Sequence, residues 1–279
     1  PNLTSVTVPT TVRNVGDVRA IGTRAFYDCE NLESVTFTLG GTQPLSIAAE
    51  AFWLCPKLTS LTLPARASGM KNMYDVFEMV DATTLDNPHY LGMAFTDYDG
   101  DVSVKSGTRE ITLPAFAQIN VAEENIPNFT PQFWSYDGIL YSGDKKTVVY
   151  CPTGRTGEVE ISKYAETIRP GAFYDCAGIT AITFEDAENV NGVDFYLDDV
   201  DDSTLIKDVE LYFYGCASLK SIAFPARLTR LGANSLRLYA NYPNLRKADY
   251  GLETITFAEG CRLTEIGDYS FAFCTSVET

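Results

Sequence analysis

Ile21-Gly22-Thr23-Arg24-Ala25-Phe26-Tyr27-Asp28-Cys29, followed by Glu30-Asn31-Leu32-Glu33-Ser34-Val35-Thr36-Phe37, decides the fold, because this frame returns along the chain. It recurs from Ile47 to Pro64, with Ala51-Phe52, Cys55, Leu58, Leu61 and Leu63 in the matching places. It recurs from Ile168 to Phe184, with Gly171-Ala172-Phe173, Cys176, Ile179 and Ile182. A looser copy holds Phe213, Cys216, Leu219, Ile222, Phe224 and Pro225. Leu231-Gly232 with Ser235-Leu236 opens a decayed copy whose strand is Leu252, Ile255 and Phe257. The last copy is Ile266-Gly267, Ser270-Phe271, Cys274 and Val277. The shared frame is I-G-x-x-A-F-x-x-C-x-x-L-x-x-V-x-F-P. Self-similarity at a period of this size is the signature of a solenoid.

The frame has a physical reading. In L-x-x-V-x-F the last two apolar positions alternate, as in a short strand with one buried face. The A-F pair falls on a short helical or irregular turn on the opposite side. Its rings stack from coil to coil, so Phe26, Phe52, Phe173, Phe213 and Phe271 are expected in the core. One unit cannot bury its own apolar face, so stability comes from stacked neighbours. Pro9, Pro64, Pro114 and Pro225 follow strands and end the pairing, because proline has no N–H to donate.

The copies just quoted resemble the BspA-type leucine-rich repeats of bacterial surface antigens. Asp137-Gly138-Ile139-Leu140-Tyr141 and Thr147-Val148-Val149-Tyr150-Cys151-Pro152 look like that family's hairpin insert, ahead of a strand at Val159-Glu160-Ile161. The resemblance implies a cell-surface or secreted protein that adheres to other proteins or cells. It implies no catalytic residue and no cofactor, because the repeated motif is a folding motif. The expected architecture is one right-handed leucine-rich repeat solenoid over residues 1–279, with about seven or eight coils. A continuous parallel sheet lines the concave side, and short helical or irregular segments line the convex side. Insertions are expected near 65–110, 114–157, 185–208 and 237–251. The chain opens at Pro1 inside a strand unit and stops inside another, which reads as a piece of a longer protein.

Charge narrows the partners. Asp and Glu total 37 against 21 Lys and Arg, a net −16, which repels phosphate backbones and anionic membrane surfaces. Nucleic acid is excluded on that ground. No stretch approaches the roughly 18 uninterrupted apolar residues of a membrane helix, so this segment is not expected to insert. The chain reads as a monomer that binds a protein, such as a host surface or matrix protein, with a glycan as an alternative ligand. A stalk that displays neighbouring domains is the competing structural role.

Five of seven cysteines (Cys29, Cys55, Cys176, Cys216 and Cys274) share one place in the frame, which reads as buried, reduced thiol. Cys151 and Cys261 stand off the frame. No C-x-x-C pair supports a zinc or redox site. His89, the single histidine, lies in Asp86-Asn87-Pro88-His89-Tyr90, far from any nucleophile motif. Asp97-Tyr98-Asp99-Gly100-Asp101 reads as a hairpin turn, since the bidentate Glu of an EF-hand loop is missing. The acidic stretch 185–202 reads as a solvated loop, with weak calcium binding as the sharper alternative.

The outward strand columns read Thr7, Thr36, Thr62, Thr112, Glu160, Thr183, Ala223 and Thr256, and beside them Ser5, Ser34, Ser60, Glu110, Glu158, Ala181, Ser221 and Thr254. They lack the Trp, Tyr and Arg anchors of binding hot spots. Met70, Met73, Tyr74, Phe77 and Val80 are spaced for one face of a helix that Ser68 would cap, a stripe that reads as packing on the solenoid, with an exposed Met-rich binding patch as the alternative. The large side chains of the insertions (Tyr74, Tyr90, Tyr98, Phe195 and Tyr196) are therefore the candidate partner-binding residues.

Overall fold

A computed structural model of the chain describes residues 2–15, 20–48, 51–52, 55–68, 116–169, 172–173, 176–185, 193–195 (backbone only), 213, 216–232, 236, 251–271, 274 and 276–278. The Met70–Val80 helix, His89 and the Asp97–Asp101 turn fall outside these residues. Two compact units are present, Pro1–Ser135 and Tyr136–Thr279.

In the first unit β1 (Ser5–Val8) pairs in parallel with β2 (Ser34–Phe37), placing Val6 beside Val35 and Val8 beside Phe37. Strand β3 (Ser60–Leu63) pairs in parallel with β4 (Gln118–Val121). Alternation works as expected: Val35, Phe37, Leu61 and Leu63 are buried while their neighbours face out. One expectation needs correction. Beside Ser60 and Thr62 stand Gln118 and Asn120, not Glu110 and Thr112. Thus β4 is a strand of the repeat lying inside the 114–157 stretch that reads as an insertion. Gln118-Ile119-Asn120-Val121 has the same alternation as Glu110-Ile111-Thr112-Leu113, and only pairing separates the two.

From residue 133 onward the chain forms two sheets rather than one. Four parallel strands run in the order β14 (Thr254–Phe257), β12 (Ser221–Phe224), β10 (Ile179–Phe184), β8 (Gly157–Ile161). These are the frame's own strands, in the register read from sequence: Ala181 lies beside Glu158 and Ser221, and Ser221 beside Thr254. A seven-stranded sheet has the order β15 (Glu265–Ile266), β13 (Leu228–Leu231), β11 (Val193–Phe195), β9 (Thr167–Ile168), β7 (Thr147–Tyr150), β6 (Ile139–Ser142), β5 (Phe133–Tyr136). In this sheet β13 and β15 end on the Leu231-Gly232 and Ile266-Gly267 pairs, and β9 ends on Ile168, the matching position. The bridges Ile21 to Ile47 and Leu45 to Ala67 are the rudiment of this ladder in the first unit. Strand β11 lies within the 185–208 stretch.

The hairpin read at 137–152 is present, with β6 and β7 antiparallel. Asp137 and Gly138 join β5 to β6 at φ 49° and 73°, a pair of left-handed residues suited to a tight hairpin. Among the described residues no helix occurs, and the A-F segments are turns.

Turns stack by a repeated hydrogen-bond pair. The N–H of Phe26 donates to the Ala51 carbonyl at 2.8 Å, that of Cys151 to Ala172 at 2.7 Å, and that of Leu236 to Ser270 at 2.8 Å. The frame cysteine of the following coil donates its thiol to the carbonyl of the turn residue, which at Phe26, Cys151 and Leu236 is the residue whose amide makes the first bond. Cys55 Sγ donates to Phe26 O at 3.1 Å, Cys176 Sγ to Cys151 O at 3.4 Å, Cys216 Sγ to Phe173 O at 3.1 Å, and Cys274 Sγ to Leu236 O at 3.3 Å. This is why the position takes cysteine: it must be small and apolar, yet satisfy a carbonyl that packing removes from water. Cys151, off the frame in sequence, occupies the place of the turn phenylalanine.

All seven cysteines are free thiols, and Cys29, Cys55, Cys151, Cys176 and Cys216 are buried. Native-state alkylation is expected to leave these five unmodified, and denaturation without reductant to expose all seven. Recovery of five or fewer would mean disulfides. Burial pushes the Cys55 thiol up to about 12 from an ordinary 9.0, so the folded chain keeps a proton that the unfolded chain releases. The stability this contributes is complete below pH 9 and is lost as pH rises toward 12.

Coil corners repeat as well. The same i to i+3 hydrogen bond closes Pro9–Val12, Pro64–Ala67, Ser162–Ala165, Pro225–Leu228 and Ala258–Cys261. In two corners the third residue is an arginine turned inward: Arg66 is 0% exposed and Arg227 is 3% exposed. Arg66 Nη1 donates to Val12 O at 2.8 Å and Gln43 O at 3.2 Å. Arg227 Nη1 donates to Ala165 O at 2.6 Å, and its Nη2 to Ser162 O at 3.2 Å. Both arginines thus tie their own corner to earlier ones. Burial lowers both guanidinium pKa values.

Candidate functional site

The outward face of the four-stranded sheet in the second unit arrays side chains in regular rows. Its strands lie at one register, so outward positions form rows across β8, β10, β12 and β14. Glu160, Thr183, Ala223 and Thr256 make one row, and Glu158, Ala181, Ser221 and Thr254 the other. Pairing fixes their spacing at the roughly 4.8 Å of neighbouring strands. Over β10, β12 and β14 the face is small and hydroxyl-rich, as the sequence indicates.

At the β8 end the face changes character. Tyr136, the last residue of β5, donates its hydroxyl to Glu160 Oε2 at 2.6 Å. That hydrogen bond, reinforced by burial and by the charges of Glu185, Glu160 and Asp137, raises the tyrosine pKa. Asp137 accepts from Arg155 Nη2 at 2.6 Å and from the Glu160 amide at 3.4 Å. The Thr183 hydroxyl donates to Glu158 Oε1 at 3.2 Å. A tyrosine and an arginine, the residue types missing from the columns, are therefore delivered by the hairpin turn and by the loop before β8. Sequence reasoning missed both because they come from outside the frame. The available signal was the D-G turn, which fixes where Tyr136 and Asp137 must point.

The five large residues proposed from sequence are not brought together in the described part of the chain. Tyr74, Tyr90, Tyr98 and Tyr196 lie outside it. Phe195 has its backbone in β11 beside Leu231, a register position at which Leu231 is buried. Of the acidic stretch 185–202, Glu185 is placed: its carboxylate pairs with Lys163 Nζ at 2.8 Å and accepts the Lys163 amide at 3.1 Å. Burial alone would raise the Glu185 pKa, but these bonds and the Lys163 charge outweigh it and hold the group low. Among the described residues no three His, Cys, Asp or Glu side chains converge to hold a metal ion. Nor is any described helix long and apolar enough to cross a membrane.

Parallel ladders, stacked aromatic turns and a recurring I-G-x-x-A-F-x-x-C frame define a leucine-rich repeat protein. Residues 1–80 and 149–279 match the BspA type leucine rich repeat region in six copies. The chain belongs to that family. Three solved structures are similar to it at low identity. The pneumococcal vaccine antigen PcpA matches at 17% identity and a TM-score of 0.44, over 99% of this chain and 56% of its own. A leucine-rich repeat protein from Eubacterium ventriosum matches at 18% identity and a TM-score of 0.36, over 99% of this chain and 65% of its own. A leucine rich cell surface protein from Faecalibacterium prausnitzii matches at 16% identity and a TM-score of 0.28, over 99% of this chain and 82% of its own. The chain thus spans little more than half the length of PcpA. No curated protein matches it.

Proposed function

We propose that the chain is an extracellular or cell-surface module that binds a protein partner and has no catalytic role. Membership of the BspA-type repeat family is the observation that carries this reading, since the repeat resembles that of bacterial surface antigens. The architecture supports it: the frame residues go into stacking coils, which leaves side chains outside the frame to make contacts. Candidate anchors are Tyr90, Tyr98 and Tyr196 from the insertions, joined by Tyr136 at the β8 end of the sheet face.

The test is a binding screen of the purified chain against immobilised matrix proteins and a glycan array. With a captured protein partner, alanine at Tyr90, Tyr98 or Tyr196 is expected to weaken binding about tenfold or more. Alanine at Thr36, Thr62 or Thr183 is expected to change it less than about threefold, since an exposed hydroxyl contributes little net free energy. Threonine variants that abolish binding would move the site to the hydroxyl rows. Selective capture of a saccharide would replace the protein partner by a glycan, and a blank screen would favour the stalk.

A further inference from the structure

We draw no further inference here: the strongest candidate, the apolar surface patch of the last coil where Phe257, Ile266 and Tyr269 are 41%, 56% and 71% exposed on and beside the outermost strands β14 and β15, carries nothing because nothing in the structure shows what covers it.

Discussion

Phe173→Ala is expected to destabilise the second unit by about 3–5 kcal/mol, the usual cost of removing a buried ring from a packed core. Phe173 is 0% exposed, and its ring meets Phe213 at a centroid distance of 5.6 Å. Emptying that position leaves a void between two turns that cannot collapse, because Cys216 Sγ still holds the backbone of residue 173 at its carbonyl. Phe26 and Phe271 provide the internal comparison. Both are half-buried, although Phe26 stacks on Phe52 at 5.3 Å with the rings parallel. Alanine at either should cost roughly half as much, in line with the smaller area withdrawn from water. Urea titrations of the three variants check the ordering, and a Phe173→Ala midpoint equal to the parent's would refute the stacked-ring account.

Arg227→Met is expected to cost about 3 kcal/mol, since it removes the side-chain donor from Ala165 O and leaves Ser162 O with the Ala165 amide, at about 1–3 kcal/mol for a buried group left unsatisfied. Methionine fills a similar volume, so the loss reports hydrogen bonding more than packing. Arg227→Lys should rescue little, because one ammonium cannot reproduce a planar fork that reaches Ser162 O and Ala165 O from separate nitrogens. Hydrogen exchange gives a local readout: the Ala165 amide, bonded to Ser162 O, should exchange faster in Arg227→Met than in the parent. Unchanged exchange with a lowered melting point would show that Arg227 stabilises its own corner only.

What the chain's sequence determined by itself is the coil. Alternation in Ser34-Val35-Thr36-Phe37 or Ser221-Ile222-Ala223-Phe224 assigns one face to the core, because successive side chains in a strand point oppositely. Repetition of A-F and Cys at fixed offsets then sets the register between coils, and the ladders from β8 to β14 follow it from Ala181 onward, after a register shift between Ile179 and Ala181. Such information is local, so one sequence suffices to read it. Tertiary structure decided three other things. It paired β3 with Gln118–Val121, a segment whose alternation is matched in sequence by Glu110–Leu113. It made a second ladder of short segments such as Thr167–Ile168, whose two residues carry too little periodicity to announce a strand. And it assembled the contact chemistry: Tyr136 with Glu160, Asp137 with Arg155, and Tyr164 with Lys145 are pairs from different elements, joined only when the coils stack. A repeat encodes its own stacking, but residues outside the repeat acquire neighbours only in three dimensions.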